Sequence, residues 1–139
     1  MTLTLGLLAL TALPQFASTP ALTPVSAQET PVSEVTRFAS QWLALLDDGR
    51  WEESYRVTGS TFRKQNTLKV WTAASEQARA PLGALVSRIL LSQENLPAPP
   101  AGYEVVKFRT SFANKADTVE TVTLDRENGA WRVVGVTIG

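Results

Sequence analysis

Cysteine and histidine are both absent from this chain of 139 residues. Without cysteine there is no disulfide, no thiolate zinc site and no cysteine nucleophile. Without histidine the chain lacks the commonest metal ligand and the side chain best suited to proton transfer near neutrality. A serine–histidine–acid triad is excluded outright. Net charge is missing as well, because thirteen basic and thirteen acidic residues cancel. Phosphate backbones call for a net basic face and anionic membranes for a polybasic patch, so neither nucleic acid nor a membrane surface is an expected partner. No cofactor and no metal is expected.

Charge is also absent from the start of the chain. Residues 1–27 contain no Asp, Glu, Lys or Arg. Leu3–Leu13 form an apolar run of 11 residues, short of the roughly 20 that span a bilayer as a helix. Pro14, Pro20 and Pro24 interrupt any continuation, and Val25-Ser26-Ala27 fits the small-x-small pattern of a signal-peptidase site. The departure from that pattern is an amino-terminal region without Lys or Arg. No cysteine follows the run, which excludes lipoprotein attachment. The expectation is a signal peptide over 1–27, cleaved after Ala27, a flexible lead-in over 28–32, and one α+β domain over 33–139. The mature protein would be periplasmic or secreted, with no integral membrane segment after cleavage.

What is present reads as helices first and strands afterwards. Val35, Phe38, Trp42, Leu45 and Leu46 recur at helical spacing, with Ser33 as N-cap, Glu34 at the positive end of the helix dipole and Gly49 where a left-handed residue ends a helix. A short second helix over 50–57 presents Trp51 and Tyr55 one turn apart, and Thr58-Gly59-Ser60 ends it. Phe62 is placed in a connection. A third helix runs from about Thr67 to Arg79, with Leu68, Trp71, Ala74 and Ala78 on one face. Pro81 lacks an amide hydrogen and biases Ala80 away from helical backbone, so this helix stops at Arg79, and Gly83 frees the chain to turn.

Four extended stretches follow: 84–92, 103–112, 119–127 and 131–138, with a proline-rich connection over 96–102. Asn128-Gly129 is a two-residue hairpin turn. It sets Glu127 opposite Ala130, Leu124 opposite Val133 and Val122 opposite Gly135. One face then carries Glu120, Val122, Leu124, Trp131 and Val133, while Val134, Val136 and Ile138 line the other. At Asn114-Lys115-Ala116 an odd count or a bulge is favoured, because it adds Val106, Phe108 and Phe112 to the core face. An even turn would bury Lys107 and Arg109 there instead. The expected architecture is three helices on a bent four-stranded antiparallel meander.

Glu120 is the most informative single residue. A carboxylate on a core-facing row needs a partner, or its pKa rises. Arg79, Arg88 and Arg109 are the available cations. One reading is an ion pair bracing sheet to helix, and the other is a pocket carboxylate that binds or deprotonates a ligand. Trp42, Trp51 and Trp71 pose a similar choice between core anchors and an aromatic-lined pocket. In a domain this small the core has first claim on them.

Several of these residues fall in motifs. Trp42-Leu43-Ala44-Leu45-Leu46-Asp47-Asp48-Gly49 is followed by Trp51, Glu53, Ser54 and Tyr55. An R-x-P-L-G-x-x-x-S-R pattern is matched by Arg79, Pro81, Leu82, Gly83, Ser87 and Arg88. F-A-N-K is matched by Phe112 to Lys115, V-E-T-V by Val119 to Val122, and W-R-V-x-G by Trp131, Arg132, Val133 and Gly135. The chain resembles a bacterial exported family, domain of unknown function 4019, across nearly its whole mature length. It departs at Val136, where that family usually has an aromatic. The resemblance implies a nuclear-transport-factor-2-like (cystatin-like) cone fold and an extracytoplasmic address, and it implies no established activity.

Three functional readings stand. The first is a non-enzymatic envelope domain that binds a small ligand or another protein, with cavity candidates Trp42, Tyr55, Trp71, Arg79, Arg88 and Glu120. The second is an isomerase- or cyclase-like enzyme using a carboxylate in the cone cavity, for which Asp47, Tyr55 and Glu120 are the acid/base candidates. The third is a homodimer through the apolar row Val134, Val136 and Ile138.

Overall fold

Four helices precede the sheet, one more than expected. The computed structural model describes residues 18, 20, 21 and 32–139, and 31–139 form one compact unit. Apart from Ser18, Pro20, Ala21 and Val32, the expected signal segment and lead-in lie outside the described residues. Helix α1 is Glu34–Asp47, and Ser33 caps it by accepting the Thr36 amide at 3.1 Å. Helices α2, Trp51–Arg56, and α3, Ser60–Gln65, are short, and α4 is Leu68–Arg79 with Thr67 as its cap. No helix among the described residues is long and apolar enough to cross a membrane.

The added element is α3, which falls where Phe62 was expected in a connection. Its N-cap, Gly59, has no side chain to offer. The missing acceptor comes from the far end of the sheet, where Glu127 Oε2 takes the Ser60 amide at 3.0 Å. A helix capped across 67 residues of sequence leaves no local N-cap signal to read.

Helix α4 ends at Arg79 as the proline argues, but Ala80 keeps helical backbone at φ −54°, ψ −41°. The chain tightens into one 3-10 turn, Ala80–Leu82, and turns away at Gly83, where φ is +75°. Pro81 sits in the first turn of this 3-10 segment, where its missing amide hydrogen costs no bond. The tip between the second and third strands latches the bend. Asn114 donates its amide to Leu82 O at 2.9 Å, and its side chain donates to Pro81 O at 3.3 Å.

Strands β1, Leu85–Leu96, β2, Tyr103–Phe112, β3, Lys115–Glu127, and β4, Ala130–Ile138, pair antiparallel in sequence order. Each interface has at least one bulge, and bulges bend and twist the strands that carry them. The bulge between Thr110 and Phe112 pairs Val106 with Val122 and Phe108 with Glu120. That places Val106, Phe108 and Phe112 in the core. The bulge between Thr123 and Leu124 corrects the last hairpin. Leu124 still faces Val133, but Gly135 pairs with Thr123, and Val122 pairs with Val136. One extra residue exchanges the faces. Val136 therefore packs against the core, and the expected row of Val134, Val136 and Ile138 on one open face does not form. The core lies between α1, α4 and this face of the sheet, around Trp42, Leu43, Val106, Val122, Leu124 and Val133.

Candidate functional site

Two turns of chain end next to each other over the sheet. Asp47 closes α1 and Arg79 closes α4, while Arg88 comes from the start of β1, Thr110 from β2 and Glu120 from β3. These five side chains form one closed network. Arg79 donates to Asp47 at 3.1 Å and to Glu120 at 2.6 Å. Arg88 donates to both oxygens of Asp47, at 2.7 and 2.9 Å, and through Nε to Glu120 at 2.8 Å. Thr110 donates its hydroxyl to Glu120 at 2.6 Å. Two cations and two anions cancel, and every carboxylate oxygen accepts at least one hydrogen bond.

Burial makes that closure necessary. The Glu120 side chain is 0% exposed, Arg88 8%, Asp47 11% and Arg79 12%. Charges taken this far out of water are tolerated only when paired and hydrogen-bonded on all sides. Burial pulls the Arg88 pKa down, but the bonds to Asp47 and the attraction of both carboxylates outweigh it, and the pKa ends above its ordinary value. Arg109, the third candidate cation, is exposed and lies 3.9 Å from Asp117 instead. Of the two readings of Glu120, the contacts match an ion pair bracing sheet to helix.

The aromatic candidates converge on a different residue. Trp42 donates its indole N–H to the Ser54 carbonyl at 3.0 Å, and Trp71 donates to the Ser54 hydroxyl at 3.0 Å. The two rings are 5.9 Å apart, and Phe62 meets Trp71 edge-on at 5.5 Å. Tyr55 donates its hydroxyl to Asn66 O at 2.7 Å, tying α2 to the end of α3. Thus Arg79, Arg88 and Glu120 come together, Trp42 and Trp71 pack on one another, and Tyr55 is used as a brace. Ser54, Thr110 and Ser75 were missed. A serine or threonine on an apolar face is the signal that could have found them.

Two small clefts share Leu46 and Arg79 as walls. One, of about 200 Å³, is lined by Asp47, Trp51, Glu76, Leu85 and Phe112. The other, of about 190 Å³, lies between α4 and the end of β4, with Trp71, Ser75, Ala78, Val136 and Ile138 around it. Among the described residues, no group of three carboxylates converges where a metal ion could sit.

A family model described as protein of unknown function (DUF4019) matches residues 38–136. The chain belongs to this family. The matched DUF4019 span contains all four charges of the network, the hinge between Arg79 and Arg88, and the bulged sheet. No curated protein matches the chain.

Proposed function

We propose that the protein is a non-catalytic, exported binding domain of the bacterial envelope, built as a nuclear-transport-factor-2-like cone, and that its first partner is a second copy of itself. The carrying observation is the outer edge of β1. This strand is twelve residues long and lies at the end of the sheet. It carries Leu85, Val86, Ile89, Leu90, Leu91 and Leu96 exposed, Val86 by 67%. Its charges are few: Arg88 is turned into the network, and Glu94 alone is ionisable and exposed. Long apolar edges without lysine or proline invite pairing with another strand. The opposite edge is treated differently, because the segment around Thr58 bridges Val133 and covers part of β4.

A second copy fits this edge by symmetry. Antiparallel pairing about a two-fold axis between Leu90 and Leu91, interrupted at the two bulges of β1, sets Leu85 opposite Leu96 and Glu94 opposite Ser87. No like charges meet, as a self-complementary interface requires. The six apolar side chains and the strand edge offer roughly 500–800 Å² per protomer, enough for a small specific interface. Two features support the non-catalytic reading. Both buried carboxylates are held by arginines, and the Tyr55 hydroxyl is bonded to a carbonyl. The cone shape is supported by the bulges on neighbouring strands, and the exported address by the apolar run Leu3–Leu13 and the small-x-small Val25-Ser26-Ala27 after it.

Size-exclusion chromatography with light scattering across a dilution series tests the pairing. The expected mass is twice that of the mature chain, falling to the single value in Ile89→Lys with an unchanged circular dichroism spectrum. A wild-type protein that stays monomeric at every concentration refutes the pairing.

A further inference from the structure

Four asparagines occur in the chain, and the side-chain amides of three are tied down. Asn66 donates to Phe62 O at 3.1 Å, Asn95 to Glu104 at 3.0 Å and Asn114 to Pro81 O at 3.3 Å. Asn128 stands exposed at the tip between β3 and β4, with left-handed backbone at φ +53°, and makes no such bond among the described residues. It is also the one asparagine followed by a glycine. Among the described residues the Gly129 amide donates to no backbone carbonyl, and a Cβ added at Gly129 would meet nothing within 4 Å. A free carboxamide and a free main-chain nitrogen are therefore neighbours in open space.

We propose that Asn128 is a self-modification site, at which the chain converts its own carboxamide to a carboxylate through a cyclic imide. The Gly129 nitrogen attacks Asn128 Cγ, and the new C–N bond closes a five-membered succinimide. The side-chain nitrogen leaves as ammonia, taking up the proton that the Gly129 amide gives up. Water then opens the ring. Breaking the bond from nitrogen to Cγ leaves aspartate, and breaking the bond from nitrogen to the Asn128 main-chain carbonyl carbon leaves isoaspartate. Water is the single co-reactant, and nothing is oxidised or reduced. Glycine favours the closure because it has no Cβ to crowd the attacking nitrogen, and exposed hairpin tips open locally without global unfolding.

The two products differ in consequence. Aspartate tolerates the left-handed backbone of the turn. Isoaspartate adds one main-chain carbon to a turn of two residues, which upsets the pairing of Glu127 with Ala130. Glu127 is the residue before it, and its carboxylate caps α3 by accepting the Ser60 amide. The isoaspartyl chain thus loosens the α3 cap together with the hairpin. The inference is independent of the β1 pairing, because β1 and β4 are opposite ends of the sheet.

The test is prolonged incubation of the purified protein in mildly alkaline buffer, followed by peptide mass mapping and labelling with an isoaspartyl methyltransferase. Residue 128 is expected to lose its amide and accept the methyl label, while Asn66, Asn95 and Asn114 keep their amides. Gly129→Ala has room for its methyl but crowds the attacking nitrogen, so it should slow the loss roughly tenfold, equivalent to about 1.4 kcal/mol in barrier. The charge-shifted fraction, collected by anion exchange, should melt below Asn128→Asp, which has the same charge and an unaltered main chain. The inference is overturned if Asn128 keeps its amide as long as Asn114 does, or if the product is aspartate alone, which bypasses the imide. It is equally overturned if Gly129→Ala reacts as fast as the wild type, or if the charge-shifted fraction melts together with Asn128→Asp.

Discussion

Replacing Glu120 by glutamine keeps the shape of the side chain and removes one charge from a site with no access to water. In the wild type its two oxygens accept from Arg79 at 2.6 Å, from Arg88 at 2.8 Å and from Thr110 at 2.6 Å. Glutamine offers one acceptor oxygen where there were two, and its amide hydrogens face donors. Two guanidinium groups would then share the single negative charge of Asp47. Breaking a buried ion pair from one side costs about 3–5 kcal/mol, mostly because the abandoned charge stays buried. Domains of this kind are stable by about 5–15 kcal/mol in total, so the loss is a large fraction of the whole. With a urea slope of about 2 kcal/mol per molar, a loss near 4 kcal/mol lowers the unfolding midpoint by about 2 M. Tryptophan fluorescence reads the transition, since Trp42 and Trp71 lie in the core. Arg88→Met should cost a similar amount, and the double variant should cost less than the sum by at least about 1 kcal/mol, because the two groups share one network. A Glu120→Gln protein within about 1 kcal/mol of the wild type would refute the closed-network account. So would strict additivity with Arg88→Met.

Gly83→Ala should destabilise by about 1–3 kcal/mol, read by the same urea titration. Its φ is +75°, and an added Cβ would stand 2.9 Å from Asn114 Nδ2, the group that latches the hinge. Glu127 gives a pH signature. The Ser60 amide and hydroxyl, with help from Arg63 and Arg132, hold its carboxyl below the ordinary value of 4.5. Because the folded value is depressed, this contribution is whole above 4.5 and disappears as pH falls through the depressed value. Thermal melts of Glu127→Gln should therefore fall below the wild type at neutral pH and converge with it in acid, and parallel curves at all pH values would refute the cap on α3. Asp125 acts in the opposite sense. Burial, and then the charge of Glu127, raise its pKa, so ionising it costs stability as pH rises.

Local rules carried the reading of this chain as far as the contacts were local. Ser33 and Gly49 bound α1, the residues 103–112 match β2, and Asn128-Gly129 sets the hairpin as far as Leu124 opposite Val133. Beyond that pair the bulge at Thr123–Leu124 takes over, and a single inserted residue carries Val136 and Ile138 to the core side. Nothing in the alternation of that stretch announces it. Helix α3 was hidden for a related reason, since its capping oxygen belongs to β3. Strand β1 runs on through 93–96, past the end expected from its apolar run, because Gln93 accepts the Thr36 hydroxyl of α1 at 2.8 Å and so is held by tertiary contact. The network was half legible. A carboxylate on the core row of β3 required a cation, and two of the three arginines considered are its partners. Asp47, at the end of an amphipathic helix, carried no sign that it would complete the set.

The spacing of the two arginines explains why the hinge must be where it is. Arg79 stands on the last turn of a helix and Arg88 on a strand, so the same pair of carboxylates can receive both only if the chain reverses between them. The 3-10 turn and Gly83 provide that reversal within a few residues, and Asn114 from the β2–β3 tip closes it. The network in turn fixes register. Arg88 is opposite Thr110 across β1 and β2, and a slip of one residue would point Arg88 outward and bring Ile89 toward Glu120. The two states differ by an unpaired, fully buried carboxylate, a gap of several kcal/mol against the misregistered sheet. A buried ion cluster adds little stability beyond what well-packed apolar residues would supply. What it adds here is a single allowed alignment of helix, hinge and sheet, which also leaves the leucines of β1 along an outer edge with nothing among the described residues to cover them.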